Sequence, residues 1–186
     1  SPLKLYDCCP FSDGASSVIL CSEKFAKAHG GDYIEVTGSG RGGSPAALQG
    51  REQMTTIPST KIASEAAYKM AGITAKDVDF AEVHDCFTIA EVVDTEDLGF
   101  FGKGQGIQAI REDRTKLNSD ISINPSGGLK SKGHPIGATG VGQVVEVFDQ
   151  LTGNAGARTV KDAKIGLTHN FGATGASCAV HVFQSV

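Results

Sequence analysis

Apolar residues along the chain follow two spacings, and each spacing predicts a different secondary structure. The apolar run at residues 16–21 predicts a strand. A helix is expected directly after it, because Ser22 is a favourable N-cap and Gly30 suits a helix end. Residues 32–38 alternate as a second strand, and residues 61–71 predict a second helix. The apolar stripe of that helix comprises Ile62, Ala63, Ala66, Ala67, Met70 and Ala71.

The segment VDFAEVH, residues 78–84, predicts a third strand, and another helix is expected just beyond it. Thr88 followed three positions later by Glu91 is typical of a capping box, which places the start of that helix just after Phe87. Cys86 is therefore expected at the carboxyl end of a strand. A polar stretch with several glycines, residues 99–120, leads to the last part of the chain.

The last part of the chain predicts one amphipathic helix and two strands. Residues 164–170 and 177–184 read as strands, and the connection between them is short enough for an antiparallel hairpin. Since sequential parallel strands need crossover helices, the whole alternation favours a three-layer α/β unit with a mixed sheet. Its active end is expected beyond the strand carboxyl ends. The apolar face of the amphipathic helix comprises Val141, Val144, Val145, Phe148 and Leu151.

Composition and charge exclude several classes of function. The 186 residues, 40% hydrophobic and 20% charged, suit one ordinary globular domain. A formal net charge of -4 offers no basic surface for nucleic acid. Neither a membrane-spanning run nor a signal peptide is visible, which favours a cytoplasmic protein. An odd count of five cysteines without CxxC spacing argues against disulfides and against a zinc site, so no metal is expected.

Glycines are concentrated in segments where the backbone is expected to approach another group closely. One such segment, TGSGRGG, contains a literal G-x-G-x-x-G at Gly38, Gly40 and Gly43. Pro45 follows closely, and no acidic residue stands about 20 positions on to bind a ribose hydroxyl. A loop that bends the chain is therefore preferred over a dinucleotide site.

Three short stretches carry residues suited to chemistry: HDCF at residues 84–87, GGLKSKGHPIGATG at 127–140 and HNFGATG at 169–175. Each ends or follows a predicted strand, so they are expected to meet at one edge of the sheet. A neighbouring imidazolium would lower the pKa of a cysteine thiol, and glycines leave backbone N–H groups free to face an oxyanion. The residues brought together would be Cys86, His84, His134, His169 and Asn170.

The remaining cysteines and histidines favour structural roles. Cysteines outside a catalytic pair are most often small buried apolar residues, and we assign the other four to that role. The two outlying histidines are expected to be structural or at the surface. Residues in these two groups are Cys8, Cys9, Cys21 and Cys178, and His29 and His181.

The motifs HDCF, NPSGGLKSKGHPIGATG and DGASSVIL together resemble the C-terminal half of a thiolase, in the branch of the sterol-carrier-protein-type and archaeal acetoacetyl-CoA enzymes. The GHP stretch is the most specific element. The resemblance runs from Asp13 to the end, so residues 1–12 are expected to be the tail of an upstream loop region and residues 13–186 the C-terminal domain. It implies a thiolase-like unit with a five-stranded mixed sheet between helices.

The resemblance implies acyl transfer between acyl-CoA thioesters, by Claisen condensation or thiolysis. HDCF stands where most thiolases have Asn-Glu-Ala-Phe, and Asn170 where most have a late cysteine. Cys86 would be the acid/base thiol, while His134 would activate the nucleophile and bind the thioester oxygen together with a water held by His84. Asn170 joins these catalytic residues, with a role left open. Substrate binding is assigned to Gly133, Phe87 and Gly172, and Phe87 is expected to hold the turn with Asp85.

The nucleophilic cysteine of the family belongs to the N-terminal half, so this chain is expected to be inactive alone. The partners implied are that half, an acyl-CoA substrate, further copies in a homo-oligomer, and possible complexes with a downstream synthase and a scaffold protein. No cofactor is expected besides the coenzyme A thioester as substrate. The alternative is a non-catalytic thiolase-like subunit for acyl-CoA binding or assembly. An isolated C-terminal half should also expose an apolar helix face and self-associate.

Overall fold

The computed structural model describes residues 2–186 and contains one mixed five-stranded sheet in the order β1-β5-β4-β2-β3. The edge strand β1 and the hairpin of β4 and β5 pair antiparallel, while β4, β2 and β3 run parallel. The predicted antiparallel hairpin and mixed sheet are therefore confirmed. The strands are β1 (Ile34–Gly43), β2 (Phe80–Glu82), β3 (Ser122–Ile123), β4 (Ile165–Gly172) and β5 (Ser177–Ser185).

Helices cover both faces of the sheet and give it two separate apolar cores. The α2 and α3 side buries the larger core, which includes Ala63, Val83 and Leu167, and the α6 side buries Phe80, Val147 and Phe183. The predicted three layers are confirmed. None of these helices is long and apolar enough to span a membrane. The helices are α1 (Glu23–His29), α2 (Pro58–Ala71), α3 (Thr88–Asp97), α4 (Gly106–Arg111), α5 (Gly128–Lys132) and α6 (Thr139–Leu151).

The glycines of TGSGRGG belong to β1 and let α2 lie directly on the strand. Gly38, Gly40 and Gly42 are buried, and a Cβ atom on any of them would collide with the backbone of α2. Beneath Gly38 and Gly40 lie the carbonyl groups of Ala67 and Ala63, one helical turn apart. Here every second residue of β1 thus meets the carbonyl of every fourth residue of α2, and each of these strand positions is a glycine. The predicted close backbone approach is confirmed, although the segment is a strand rather than the expected loop.

The strand predicted at residues 16–21 is wrong. These residues form no helix or strand, and Ile19 and Leu20 are 90% and 81% exposed. An apolar run becomes a strand only where another backbone can pair with it, and the five strands of this sheet pair elsewhere. The short parallel strand β3, in the part of the chain just after the predicted polar stretch, takes the fifth place in the sheet.

The apolar stripe predicted for α6 is wrong as the buried face of that helix, and the stripe predicted for α2 is right only in part, since Ala63 and Ala67 are fully buried. In α2 the predicted Ile62 and Met70 are 49% and 65% exposed, because the glycine-bearing strand admits only small side chains. In α6 the buried face is mostly polar: Thr139, Gln143, Glu146, Val147 and Gln150. Helical spacing alone did not show which face turns toward the sheet.

The predicted capping box at the start of α3 is also wrong. The helix begins at Thr88, so the N-cap is Phe87 and its side chain makes no capping bond. The Thr88 hydroxyl donates instead to Asp7, at 3.0 Å, and Glu91 accepts from Asn124. By contrast, the cap predicted for α1 is confirmed, since the hydroxyl of Ser22 accepts from the backbone N–H of Phe25 at 3.2 Å.

Candidate functional site

The HDCF, GHP and HNFG stretches converge at the carboxyl ends of β2 and β4. The ring of His84 lies edge-on to that of His134, with centroids 5.0 Å apart, and packs on Phe171 at 4.7 Å. Both histidines are buried. The predicted meeting of the three stretches is therefore observed, at the end of the sheet where active sites of open α/β folds lie.

The N-terminal segment of the chain joins two of these stretches. The backbone N–H of Cys9 donates to the carbonyl of Cys86 at 3.0 Å, next to an antiparallel bridge between Cys8 and Phe87. At Pro10, the residue after Cys9, the backbone carbonyl accepts a hydrogen bond from the N–H of His134, also at 3.0 Å. The expected tail of an upstream loop region thus fixes the backbone at Cys86 and at His134.

Carboxylates at the end of β2 hold the HDCF stretch against the loop that leads to α5. Asp85 accepts hydrogen bonds from the backbone N–H groups of Leu129 (2.8 Å) and Lys130 (3.2 Å), which begin α5. The fully buried Glu82 accepts two bonds from Ser126, from its backbone N–H and its hydroxyl. Asp85 therefore holds the turn, as predicted, by satisfying donors that the helix leaves unpaired.

Asn124 provides a second tie between the same segments. Its side-chain oxygen accepts from the backbone N–H of Val83 at 2.8 Å, and its amide nitrogen donates to Glu91 at 3.1 Å. Burial, and secondarily the charge of Asp85, raise the pKa of Glu91 to about 7. Asn124 adopts a positive φ of 51° to make these contacts. Asn124 thereby connects the ends of β2 and β3 with α3 at the base of the site.

The neighbours of His134 leave one ring nitrogen suited to accept a proton. Its Nδ1 lies 2.6 Å from the hydroxyl of Thr139, which also lies 3.2 Å from the carbonyl of Pro135. A hydroxyl has one hydrogen, so when Thr139 donates to Pro135, Nδ1 is the donor and Nε2 carries a lone pair. Burial lowers the pKa of His134 although Asp85 opposes the shift, which favours the neutral ring.

Burial keeps Cys86 and His84 uncharged, so the predicted thiolate–imidazolium pair is wrong for this chain. The pKa of Cys86 is raised to about 12, chiefly by burial. The pKa of His84 is lowered to about 4 by burial and by its neighbour His134. A neutral imidazole provides no positive charge to stabilise a thiolate. Cys86 therefore stands as a protonated thiol, the form that donates a proton.

His169 lies beneath the site in a buried contact with α2 and α3. Its Nε2 is 2.9 Å from the hydroxyl of Thr60, and its Nδ1 is 3.6 Å from Asp94. All three side chains are fully buried. Burial lowers the pKa of His169 to about 3 and raises that of Asp94 well above its usual range. The pair is therefore neutral rather than a salt bridge, and His169 belongs to the supporting core.

The other predicted site residues lie around the same end of the sheet with different exposure. Asn170 is half-buried and donates to Gln143 of α6 at 3.0 Å, and Gln143 donates in turn to the carbonyl of His169. Gly133 is buried at a φ of 88°, beside the hydroxyl of Ser12. Gly172 and Phe87 are exposed. The assignment of these residues to catalysis and substrate binding stays a prediction.

Three of the four cysteines predicted to be buried are accessible. Cys178 is buried, but Cys21 is exposed and Cys8 and Cys9 are partly exposed, so that prediction is wrong for these three. Cys21 follows the unpaired apolar run and Cys8 and Cys9 precede it, which explains their exposure. Residues 2–186 hold no cluster of histidine, cysteine and acidic side chains arranged for a metal ion.

A large apolar cleft lies away from this site. It has a volume of about 620 Å³ and runs between the exposed segment at residues 18–21, helix α1 and the half-buried face of α6. Val144, Val145 and Phe148 of α6, from the stripe predicted in the sequence, line it. Part of the stripe therefore faces an opening, while Val144 and Leu151 also pack against the core on this side of the sheet.

Several residues that support the site were missed by the sequence analysis. Acidic residues inside a predicted amphipathic helix, such as Asp94 and Glu91, usually face solvent, so no signal marked them as buried. Gln143 and Thr139 interrupt an apolar face in the same way. A usable signal existed for Asn124 and Ser126, because a polar pair beside a proline and two glycines follows an apolar segment.

Comparison with known proteins agrees with this geometry. The sequence profile of the family described as thiolase C-terminal domain-like matches residues 40–185. The chain therefore belongs to the thiolase family. A solved structure named Ltp2-ChsH2(DUF35) aldolase superposes with a TM-score of 0.86 over 99% of this chain and 48% of its own, at 20% identity, and shares the fold.

Relatives come from both parts of the predicted branch. An acetyl-CoA acetyltransferase of Methanothermobacter thermautotrophicus is 48% identical over 98% of this chain, and one of Methanocaldococcus jannaschii is 41% identical over the same share. Human sterol carrier protein 2 is 38% identical over 94% of the chain. The chain spans 48% of each archaeal relative and 33% of the human one. The resemblance inferred from the motifs is confirmed.

Proposed function

We propose that this chain is the acid/base half of an acetyl-CoA C-acetyltransferase, with the nucleophilic cysteine supplied by an N-terminal half. The observation that carries the proposal is the convergence of Cys86, His84 and His134: backbone bonds from the N-terminal segment hold Cys86 and His134, and the His84 ring packs edge-on to that of His134. The names of the archaeal relatives support the acetyl-CoA substrate. Residues 13–186 would form the C-terminal domain, and residues 1–12 the end of the preceding loop region.

In thiolysis, the thiol of coenzyme A gives its proton to the Cys86 thiolate and attacks the acetyl thioester on the nucleophilic cysteine. The bond from the acetyl carbon to that cysteine breaks, acetyl-CoA leaves, and the cysteine sulfur keeps the electron pair. Before this, the nucleophilic cysteine attacks the ketone carbon of acetoacetyl-CoA, the bond from that carbon to the α-carbon breaks, and the acetyl-CoA enolate that leaves takes the proton of Cys86. The raised pKa of Cys86 suits this donation, because the site holds the thiol form until the enolate appears.

His134 and His84 stabilise the charge that develops on the thioester oxygen. His134 also takes the proton of the nucleophilic cysteine, using the Nε2 lone pair that the contact with Thr139 leaves free. His84 binds the thioester oxygen through a water, next to the edge of the His134 ring. Gly133, Phe87 and Gly172 border the substrate. A hydrogen bond to Gln143 orients the Asn170 side chain beside them.

Cys86→Ala in an enzyme assembled from both halves tests the assignment. We expect thiolysis of acetoacetyl-CoA to fall by about 100-fold or more, since general acid/base groups contribute about this much. Cys21→Ser is the matched control, because Cys21 is exposed and distant in the chain from the three stretches. Circular dichroism should show both variants folded. Unchanged thiolysis by Cys86→Ala would refute the assignment.

An acyl-CoA-binding or assembly role is the alternative. The apolar cleft of about 620 Å³ favours it, because it could hold an acyl chain. Saturable binding of a long-chain acyl-CoA, combined with no acetyl transfer by the assembled halves, would establish this role. A homo-oligomer, complexes with a downstream synthase and a scaffold protein, a cytoplasmic location and the absence of a cofactor stay predictions.

A further inference from the structure

Cys9 and Cys86 stand directly opposite each other across a short antiparallel contact. Cys8 pairs with Phe87 in an antiparallel bridge, so the next residue on one strand, Cys9, faces the preceding residue on the other, Cys86. The backbone bond from the Cys9 N–H to the Cys86 carbonyl, 3.0 Å long, fixes this register. Hydrogen-bonded antiparallel partners have Cα atoms about 5.5 Å apart. Disulfides span Cα separations of about 4.4 to 6.8 Å.

The alternation of side chains singles out one of the two vicinal cysteines. Successive side chains of an extended segment point to opposite faces, while residues directly opposite each other share a face. Cys9 therefore shares a face with Cys86, and Cys8 shares the other face with Phe87. Cys8 offers a thiol adjacent in sequence that points away, which provides an internal control.

We propose that Cys9 and Cys86 form a reversible disulfide that blocks the acid/base thiol of the site. The modification site follows from the backbone register, while the effect on catalysis depends on the function proposed above. The two thiols are partly exposed, so a small oxidant can reach them. Burial raises the pKa of both, which keeps the pair reduced and slow to react at neutral pH in the absence of an oxidant.

A low-molecular-weight disulfide such as oxidised glutathione is the oxidant in this reaction. The Cys9 thiolate attacks one sulfur of glutathione disulfide, and one glutathione leaves as a thiolate. The Cys86 sulfur then attacks the Cys9 sulfur of the mixed disulfide, and the second glutathione leaves. The two protein thiols lose two electrons and two protons in total, and one glutathione disulfide becomes two glutathione thiols.

Tryptic mapping after oxidation tests the modification site. The purified chain is incubated with oxidised glutathione, alkylated, and digested, which places Cys8, Cys9 and Cys21 in the peptide 5–24 and Cys86 in the peptide 77–103. We expect these two peptides to be linked, and the Cys9 and Cys86 thiols, besides any exposed thiol held as a glutathione adduct, to be lost to alkylation until dithiothreitol restores them. The link should form faster as the pH rises, because the thiolate attacks.

Serine variants identify the partner of Cys86. Cys9→Ser should abolish the link, whereas Cys8→Ser and Cys21→Ser should leave it intact. A link that survives Cys9→Ser would overturn the assignment. So would the absence of a link under conditions in which the exposed Cys21 of the same sample is fully converted to its glutathione adduct.

The catalytic arm uses the enzyme assembled from both halves. Oxidised glutathione should suppress thiolysis of the wild type in proportion to the linked fraction, and Cys9→Ser should retain its activity under the same treatment. A fully linked enzyme that keeps its activity would overturn both the regulation and the role of Cys86. Failure to form the link overturns only the disulfide, because Cys86→Ala tests the proposed function separately.

Discussion

On one face of the sheet, α2 lies so close to β1 that its backbone touches the glycines of the strand. On the other face, α6 turns buried polar side chains toward the sheet and an apolar stripe toward a cleft of about 620 Å³. On the first face, which we call the closed face, the glycines of β1 and the small side chains of α2 pack against each other and leave no space between them. The second retains apolar surface of the kind that often marks a contact with another protein surface.

The largest effect on stability is expected on the closed face, where β1 and α2 leave no space for an added side chain. Gly40→Val places a side chain against the carbonyl of Ala63, and neither backbone can move without opening the sheet. We expect a loss of about 3 kcal/mol or more in the free energy of unfolding, or failure to fold. Gly43→Ala is the control, because its Cβ meets only the carbonyl of Ala176, at 3.9 Å. Equal urea midpoints for the two variants would contradict the close packing.

The second effect concerns the neutral pair inside the closed face. Asp94 has a raised pKa in the folded state, so unfolding at neutral pH releases its proton and the stability contributed by the protonated form is lost as pH rises. His169 and His84, with lowered pKa values, act oppositely but only below about pH 6.5. Between the unfolded-state pKa and the raised folded-state pKa of Asp94, this group therefore lowers stability as pH rises, with a slope of at most about 1.4 kcal/mol per pH unit.

Asp94→Asn imitates the protonated carboxyl and should remove that slope. In urea unfolding experiments we expect the stability of the variant, relative to the wild type, to increase as the pH rises toward the raised pKa of Asp94. Asp120→Asn, which changes an exposed ion pair with Arg114, should alter stability by less than about 0.5 kcal/mol at every pH. A parallel pH dependence of Asp94→Asn and the wild type would show that Asp94 is ionised in the folded protein.

The smallest effect on stability is expected at the open face. Ile19 is 90% exposed, so Ile19→Ser should change the free energy of unfolding by less than about 0.5 kcal/mol. It should nevertheless weaken self-association of the chain, because the exposed apolar segment is the surface that drives it. Sedimentation velocity over a range of concentrations measures this. A wild type that stays monomeric at high concentration would remove the basis of the prediction.

The closed and open faces also differ in how much of their structure could be predicted from the sequence. The elements of the hairpin, β1, β2 and the long helices were predictable because the local spacing of apolar residues specifies them. Which side of α6 is buried was not, since a stripe of valines predicts apolar contact without saying whether the sheet or another neighbour provides it. Residues 16–21 failed for the same reason: a strand depends on a partner backbone that spacing does not reveal.

The candidate site divides in a similar way. Its motifs gave Cys86, His84 and His134 together with the fold, because the residue types and their positions after strands are informative. The electrostatics could not be read from proximity in sequence. His84 and Cys86 stand two residues apart, yet burial keeps both neutral, and the neighbouring His134 adds to the effect on His84. Such effects arise from the packing of distant segments.

Thiolysis of acetoacetyl-CoA by the purified chain, alone and mixed with a recombinant N-terminal half, tests the central claim most directly. Both halves are first shown to be folded by circular dichroism. We predict no turnover by the chain alone and turnover on mixing, because Cys86 would then act on an acyl group carried by a cysteine of the other half. Turnover by the chain alone, or none from the folded mixture, would contradict the proposed division of the catalytic residues.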